Sequence, residues 1–171
     1  MLKLAEAEKK AEQILSCIGS LVSRAAVAGS VRRRRPQVHD IDLVVLPKQL
    51  QVGVFNVDPD SSWNSIHNRL SSRLKMKTIK KGAELMTLGF PDVDLPVDIY
   101  RATPETWGVL LLIRTGSTQH NIRMCMHAKT LGMMLSAKRG VIKDGNVMAS
   151  KEEQDIFRAL DILYVPPERR K

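Results

Sequence analysis

The sequence predicts an α+β protein, with a mixed β-sheet flanked by helices and a smaller helix-rich region that carries a β-hairpin. Three observations lead to this prediction. Short β-branched runs alternate with helical patterns in the first hundred residues, apolar helical patterns dominate after residue 103, and no segment is repeated. Residues 1–103 and 104–171 are therefore predicted to form two lobes that share a core.

In the first lobe, hydrophobic periodicity and breaking residues define the elements. Apolar residues recur at helical spacing over residues 3–23, and a second helix is predicted over residues 63–74. Residues 51–62 combine Gly, Pro, Asp and Ser and are predicted to form a loop. The predicted strands cover residues 25–28, 41–46, 77–80, 84–90 and 95–100.

In the second lobe, Thr103 precedes Pro104 and is a candidate N-cap for an apolar helix over residues 104–114. A Thr-Gly-Ser sequence ends that helix, and another is predicted over residues 121–135. Gly140 and Gly145 indicate a hairpin. The S-x-x-E pattern that begins at Ser150 has the form of a capping box and predicts a short helix through residue 160.

Composition narrows the function classes. Two cysteines, neither in a C-x-x-C pattern, argue against a disulfide framework and a structural zinc site. Without an apolar run of membrane-spanning length or a signal-peptide pattern, we expect a soluble, intracellular, cytoplasmic protein. The net charge of +9 is spread along the chain and favours a polyanion partner, first of all nucleic acid. An aromatic content of 4% argues against a base-stacking platform for single strands.

Two aspartates lie inside a predicted strand, in the sequence HDIDLVV. Asp40 and Asp42 are two residues apart, so their carboxylates point to the same face. Hard oxygen ligands of this kind suit Mg²⁺ or Mn²⁺. A bare D-x-D is also compatible with an edge strand that exposes two acids to solvent, but apolar neighbours favour a buried strand whose acids need a cation.

A third carboxylate would complete a two-metal site for phosphoryl transfer. The candidates are Asp92, Asp94 and Asp98. Strand-forming residues flank Asp98 on both sides, whereas the other two lie in a proline-rich turn. We therefore expect Asp98 to be the third acid.

Gly29 and Ser30 precede the aspartates by about ten residues. A glycine after a strand lets backbone N–H groups approach an anion, and the serine adds a hydroxyl donor. The four arginines that follow, Arg32 to Arg35, include side chains able to grip phosphate with two parallel hydrogen bonds. A phosphate cradle next to a metal-binding D-x-D is typical of a nucleotide-handling site.

Four segments in the same order resemble those of the family X DNA polymerases, within the nucleotidyltransferase superfamily. GSVRRRRPQVHDIDLVV resembles the G-S-x-R-R…D-x-D motif, and VDIYRATPETWG resembles the strand that carries the third aspartate. IRTGSTQHN is similar to the Y-F-T-G-S…N segment, and KEEQDIFRALDILYVPPERR to the C-terminal end. The resemblance implies a nucleotidyltransferase palm over residues 1–103 and a thumb over residues 104–171. It also implies the minimal form without the lyase and fingers domains.

The resemblance implies a role for each matching residue. Asp40 and Asp42 would ligate two Mg²⁺ ions, with Mn²⁺ as a substitute. Asp98 would ligate the catalytic ion and take the proton of the primer 3′-hydroxyl. The residues that would bind the nucleotide are Gly29, Ser30 and Arg33 at the phosphates, Gly116 and Ser117 beside the sugar at a cis peptide, and Asn121 at the base.

Palm and thumb alone would then hold the DNA. The candidate backbone contacts are Lys75, Lys77, Lys80 and Lys81 in the first lobe, and Lys138, Arg139 and Lys143 in the second. A solvated surface role is the alternative for each of these residues taken singly. The expected partners are gapped or primer-template DNA and deoxynucleoside triphosphates, with ribonucleoside triphosphates also accepted, and the protein is expected to be a monomer that does not bind a membrane.

Two departures from the family pattern affect the expected activity. Ile113 and Arg114 stand where the family has an aromatic pair, which predicts weak discrimination between ribonucleotides and deoxyribonucleotides. Pro96 stands where the family often has an arginine near the primer phosphate, which affects primer alignment and rate.

The sequence thus favours a template-directed DNA polymerase acting in short-gap repair. Two alternatives stay open: a stand-alone nucleotidyltransferase acting on RNA, a protein or a small molecule, and a catalytically inactive nucleic-acid-binding module. The thumb-like segment and the basic charge favour the polymerase over the first alternative. The three aspartates argue against the second.

Overall fold

The computed structural model of the protein describes residues 1–52, 56–58 and 60–171. The helices are α1 (Leu4–Ile18), α2 (Gly29–Arg32), α3 (Ser61–Arg73), α4 (Trp107–Thr115), α5 (Thr118–Thr130) and α6 (Glu153–Ala159). The strands are β1 (Leu2–Lys3), β2 (Val22–Val27), β3 (Gln37–Val38), β4 (Ile41–Pro47), β5 (Leu50–Val52), β6 (Asn56–Asp58), β7 (Lys77–Lys81), β8 (Leu85–Gly89), β9 (Pro96–Arg101), β10 (Met134–Ser136), β11 (Gly140–Lys143) and β12 (Asn146–Ala149). Single 3₁₀ turns lie at Gly19–Leu21 and Pro167–Arg169.

A five-stranded sheet in the order β2-β4-β9-β8-β7 forms the centre of the first lobe. β4 and β9 are parallel and the other neighbouring pairs are antiparallel, which confirms the predicted mixed sheet. Parallel neighbours need a long crossover connection, and the chain between β4 and β9 supplies it with α3, β7 and β8. The parallel strands β4 and β9 lie in the interior of the sheet, and their residues are buried or half-buried.

Helices α1 and α3 pack together and cover the core of the first lobe. The buried residues of α1 recur every three or four positions, so they form one face of the helix. They are Ala7, Ala11, Ile14 and Ile18. Ile66 and Leu70 of α3 join the same hydrophobic cluster, together with side chains of β4, β8 and β9.

In the second lobe, α4, α5, α6 and the sheet β10-β11-β12 surround a separate hydrophobic cluster. Helix α4 approaches the start of α6 closely at Gly108. A Cβ atom there would lie 2.3 Å from the backbone carbonyl carbon of Glu152, so a larger residue would push the two elements apart. The predicted helix-rich lobe is thus present, with a third strand beside the predicted hairpin.

The predicted start of the first helix in this lobe is wrong. Helix α4 begins at Trp107 with Thr106 as its N-cap residue, rather than at Pro104 behind Thr103. The reason is a local turn: the Thr103 backbone N–H donates to Thr106 Oγ1 at 3.0 Å, and the Thr106 N–H donates back to the Thr103 carbonyl. These bonds close residues 103–106 before the helix starts.

The next two helices also differ from their predicted bounds. Helix α5 begins earlier than predicted because the Ser117 hydroxyl caps it, accepting a bond from the His120 backbone N–H. It ends at Thr130, because Gly132 with φ +68° turns the chain into β10. Ser150 is not the N-cap of α6: its carbonyl accepts from the Val109 N–H of α4, and the helix starts at Glu153.

In the first lobe the differences are smaller. Helix α1 ends at Ile18, before a 3₁₀ turn and the early start of β2. Of the predicted loop over residues 51–62, the described part contains the paired strands β5 and β6 and the start of α3, while residues 53–55 and 59 lie outside the described residues. The other predicted strands agree with the structure to within a few residues.

Within the described ranges, every helix is too short or too polar to cross a membrane. The predicted lobe boundary between residues 103 and 104 stays a prediction.

Candidate active site

The three predicted acids lie at the start of the parallel pair. Asp42 of β4 stands directly opposite Asp98 of β9 in the register of the two strands. Asp40 precedes β4 by one residue and lies close enough to Asp42 to affect its ionisation. The sequence pattern that predicted a carboxylate cluster therefore corresponds to one in the fold.

Burial and the repulsion between neighbouring acids dominate the electrostatics of the cluster. Burial raises the pKa of the Asp42 carboxyl to about 7, and the negative charges of Asp40 and Asp98 act in the same direction. The positive charge of Arg114 opposes the rise. A cation next to Asp42 would oppose both the burial and the repulsion that raise its pKa.

Asp98 is held at both of its carboxylate oxygens. Thr87, its register neighbour on β8, donates from Oγ1 to Oδ1 at 2.6 Å, and the Tyr100 hydroxyl donates to Oδ2 at 3.3 Å. Sequence reasoning missed both partners. Tyr100 had a signal, because it lies two residues after Asp98 on the same strand face.

Gly29 is required by the position of the Asp42 carboxylate. It lies at the turn from β2 into α2 with φ +56°, a conformation that favours glycine. A Cβ atom at this position would lie 1.9 Å from Oδ2 of Asp42 and 3.1 Å from its Cβ. The predicted phosphate turn and the predicted metal ligand are therefore in direct contact.

Three of the predicted nucleotide-binding residues carry a buried polar atom that has no partner within the described part of the chain. These atoms are Ser30 Oγ, Arg33 Nε and Asn121 Oδ1. Buried polar groups in folded proteins are nearly always hydrogen-bonded, so each of these atoms needs an explanation. A bound polar ligand would satisfy such atoms.

Two arginines of the basic run bind the end of α4. Arg33 donates from Nη1 to the Thr115 carbonyl, and Arg32 donates from Nη1 to the Thr115 hydroxyl at 2.6 Å. Burial lowers the pKa of the Arg33 guanidinium, and the charge of Arg35 lowers it further. These bonds connect the turn after β2 to the junction between α4 and α5.

The predicted sugar and base contacts meet at that junction. The peptide bond between Gly116 and Ser117 is cis, as the resemblance implied, and Gly116 has φ +67°. A Cβ atom on Gly116 would lie 3.0 Å from Arg33 Nη1. Asn121 donates from Nδ2 to the Ile113 carbonyl at 2.8 Å. The structure thus places Gly116 beside the arginine that was predicted to bind phosphate, while Ser117 and Asn121 lie at the start of α5.

An ion-pair network that the sequence did not reveal joins the two lobes. Arg32 contacts both carboxylate oxygens of Glu153 at 3.0 and 2.8 Å, and the fully buried Arg170 contacts Glu153 at 2.6 Å. Burial pushes the pKa of Glu153 upward, but the hydrogen bonds from the two arginines lower it overall. Tyr164 also donates to Glu153, at 3.2 Å.

The predicted DNA-binding residues lie on exposed surfaces outside the carboxylate cluster. Every residue of β7, the edge strand that carries Lys77, Lys80 and Lys81, is exposed, and so is Lys75. In the second lobe, Lys138, Arg139 and Lys143 are also exposed, and Arg139 donates to the Gly145 carbonyl at 3.1 Å.

The carboxylates fit divalent cations by donor type and by charge, because all three offer hard oxygens and Asp42 has a pKa raised by burial and by its acidic neighbours. The spacing of the carboxylates does not match a metal site. Among the described residues, no group of three or more His, Cys, Asp or Glu side chains is arranged to hold a metal ion.

Two comparisons found proteins that are similar to this chain. Residues 110–171 match the family model described as the DNA polymerase beta thumb. The crystal structure of Leishmania infantum polymerase beta, a ternary P/T complex, superimposes with a TM-score of 0.78 at 19% identity, covering 99% of this chain and 76% of that chain. No curated protein sequence matches the chain.

The protein therefore has the polymerase beta fold, and its C-terminal region matches the polymerase beta thumb. The resemblance noted in the sequence is confirmed at the level of the fold. The roles of the individual site residues stay predictions.

Proposed function

We propose that the protein is a template-directed DNA polymerase that adds nucleotides to a primer 3′-hydroxyl by two-metal phosphoryl transfer during short-gap repair. The observation that carries this proposal is the pairing of Asp42 with Asp98 across β4 and β9, in contact with Gly29. Acids in that position, in a chain with the polymerase beta fold, favour catalysis over simple binding.

Each acid has a proposed role. Asp40, Asp42 and Asp98 would hold two Mg²⁺ or Mn²⁺ ions, which when bound lower the charge on the reacting oxygens. The primer 3′-oxygen attacks the α-phosphorus of the nucleotide, the bond to the departing pyrophosphate breaks, and Asp98 accepts the proton of the hydroxyl. Thr87 and Tyr100 keep the Asp98 carboxylate oriented for this transfer.

The nucleotide is proposed to lie between the turn after β2 and the junction of α4 and α5. Gly29, Ser30 and Arg33 bind its phosphates, Gly116 and Ser117 contact its sugar, and Asn121 contacts its base. The unpaired Ser30 Oγ, Arg33 Nε and Asn121 Oδ1 support this placement, because a bound nucleotide would supply partners for them.

The protein is proposed to act as a monomer on gapped or primer-template DNA. The exposed lysines of β7 and the basic residues of the second lobe would contact phosphates. The net charge of +9 supports this role, because phosphate contacts dominate the affinity of proteins for DNA.

Weak sugar discrimination follows from the residues before the cis peptide. Ile113 packs against the hydrophobic cluster of the second lobe, and the Arg114 guanidinium lies over the Tyr100 ring. Neither residue offers an aromatic ring to the sugar. Insertion of dNTP and rNTP should therefore be compared side by side; a preference for dNTP above about a thousandfold would refute weak discrimination.

Extension of a labelled primer on one-nucleotide-gapped duplex with Mg²⁺ tests the main proposal. The Asp42→Asn variant should bind the duplex like the wild type but lose extension. Asp94→Asn, the same chemical change at an exposed acid in the turn before β9, should extend normally.

The other outcomes separate the alternatives. A wild-type protein that binds DNA but extends no primer with any nucleotide would be a binding module. A protein that transfers a nucleotide to RNA, a protein or a small molecule without using a template would be a stand-alone transferase.

A further inference from the structure

Arg114 and Tyr100 form a contact between the two lobes next to the carboxylate cluster. Arg114 lies in the last turn of α4 and is exposed, yet its guanidinium carbon is 4.1 Å from the centroid of the Tyr100 ring. Tyr100 lies on β9 with 8% of its surface exposed, and its hydroxyl donates to Asp98 Oδ2. A chain of three side chains thus runs from α4 to the proposed proton acceptor.

The contact between Arg114 and Tyr100 restrains both side chains. A guanidinium over an aromatic face is attracted by the ring quadrupole, and it also restricts rotation of the ring. The Tyr100 hydroxyl oxygen lies 3.3 Å from Asp98 Oδ2. It therefore acts as a hydrogen-bond donor to the Asp98 carboxylate.

We propose that Tyr100 and Arg114 act together as positioning residues for Asp98, with Arg114 acting through the Tyr100 hydroxyl. This inference rests on the proposed function, because it gives Asp98 its orientation for proton transfer. Arg114 is followed directly by Thr115, which accepts bonds from Arg32 and Arg33. The last turn of α4 thereby connects the phosphate-binding turn to the geometry of the carboxylate.

The proposal distinguishes two ways in which Arg114 could matter. If Arg114 acts through Tyr100, its removal has little further effect once the hydroxyl is gone. If it contacts the nucleotide directly, the effects of the two changes multiply, and loss of Arg114 raises KM. A double-mutant cycle with Tyr100→Phe and Arg114→Ala separates these cases, because phenylalanine keeps the ring and removes only the hydroxyl.

The first measurement needs no activity. With ¹³C-labelled aspartate, the Asp98 carboxyl signal should shift on Arg114→Ala in the wild-type background, and this shift should largely vanish in the Tyr100→Phe background. The Arg114 Nε–H signal should show an upfield ring-current shift that survives Tyr100→Phe and disappears in Tyr100→Leu. An unshifted Arg114 signal in the wild type, or equal Asp98 shifts in both backgrounds, would overturn the proposal.

The second measurement is single-nucleotide insertion. Tyr100→Phe should lower kcat roughly tenfold with KM for dNTP nearly unchanged, Arg114→Ala should lower it by a similar or smaller factor, and the double variant should be no slower than Tyr100→Phe. Arg114→Lys should restore part of the rate. Arg73→Ala, the same loss of charge on the exposed end of α3, should have no effect.

The two measurements test the proposed function and the positioning role of Arg114 independently. Without insertion by the wild type, the proposed function falls, while the NMR cycle still decides whether Arg114 acts on Asp98 through Tyr100. With insertion but multiplicative losses, or with KM raised by Arg114→Ala and kcat unchanged, the polymerase assignment stands and the positioning role of Arg114 is wrong.

Discussion

Replacing Gly29 by alanine tests the contact between the phosphate-binding turn and the carboxylate cluster. Two costs are expected at this position. The first is backbone strain, because φ is +56° and an L-residue is disfavoured there. The second is a collision, because the new Cβ would lie 1.9 Å from Asp42 Oδ2. Rotating the carboxylate aside removes this collision but leaves a tight contact, since Asp42 Cβ would lie 3.1 Å away.

Alanine substitutions at two other glycines allow the strain and the collision to be measured separately. Gly132 has φ +68° with no heavy atom of the described residues within 4 Å of a built Cβ, so Gly132→Ala measures the strain alone, about 1–2 kcal/mol. Gly19 has φ −53° and is equally open, so Gly19→Ala should be neutral or stabilise by about 0.5 kcal/mol. Gly29→Ala should exceed Gly132→Ala by about 1–3 kcal/mol, as overpacking does.

The assays are urea unfolding and single-nucleotide insertion by folded protein. Because Asp42 must move, we expect Gly29→Ala to slow insertion by about a hundredfold or more, while the other two variants insert normally. The reasoning fails if Gly29→Ala is no less stable than Gly132→Ala and inserts at the wild-type rate.

Three further predictions concern stability and DNA binding. Burial lowers the pKa of His120 to about 4, so the folded state favours the neutral imidazole. The stability contributed by the neutral imidazole is full above the unfolded pKa near 6.5 and is lost as the pH falls. Relative to His120→Phe, the wild type should therefore lose about 2 kcal/mol of unfolding free energy from pH 7 to pH 5. Glu153→Gln should cost about 3–5 kcal/mol by urea unfolding, because it removes the negative charge that neutralises the buried Arg170. Glu152→Gln, at an exposed pair, should cost less than about 1 kcal/mol. Replacing Lys77, Lys80 and Lys81 by glutamine should weaken DNA binding. The slope of log K against log salt concentration, measured by fluorescence anisotropy, should become shallower by about 0.9 for each phosphate that the protein no longer neutralises.

The carboxylate cluster could be predicted from sequence because it depends on local geometry. Acids at i and i+2 in extended chain share a face whatever the strand pairs with, and here Asp42 lies on β4 while Asp40 precedes it by one residue. The choice of Asp98 over Asp92 and Asp94 used the same local signal, a strand-forming environment, and the register of β4 with β9 agrees with it. The fold class followed from periodicity, which reflects which faces are buried.

The rest of the candidate site depends on contacts between residues far apart in sequence. Arg32 and Glu153 are separated by 121 positions, and nothing near either residue indicates the other. The predicted starts of two helices were wrong for a related reason. Thr103 has the chemistry of an N-cap, but its backbone is bonded to Thr106 in a turn that precedes the helix. The Ser150 carbonyl is bonded to the N–H of Val109 in α4. Local propensity is weak where tertiary contacts compete with it.

The run of four arginines illustrates how one composition can serve several purposes. The short helix α2 ends within the run, and the chain turns at Arg34, which has φ +56° and pairs loosely with Glu8 at 3.7 Å. Arg32 and Arg33 instead point across to Thr115, and Arg32 goes on to the buried Glu153. Consecutive residues in a turn diverge, so identical side chains reach different surroundings. Because Arg32 already has its carboxylate and Arg33 keeps a buried Nε unpaired, Arg33 is the one of these two arginines that has hydrogen-bonding capacity left for the proposed phosphate.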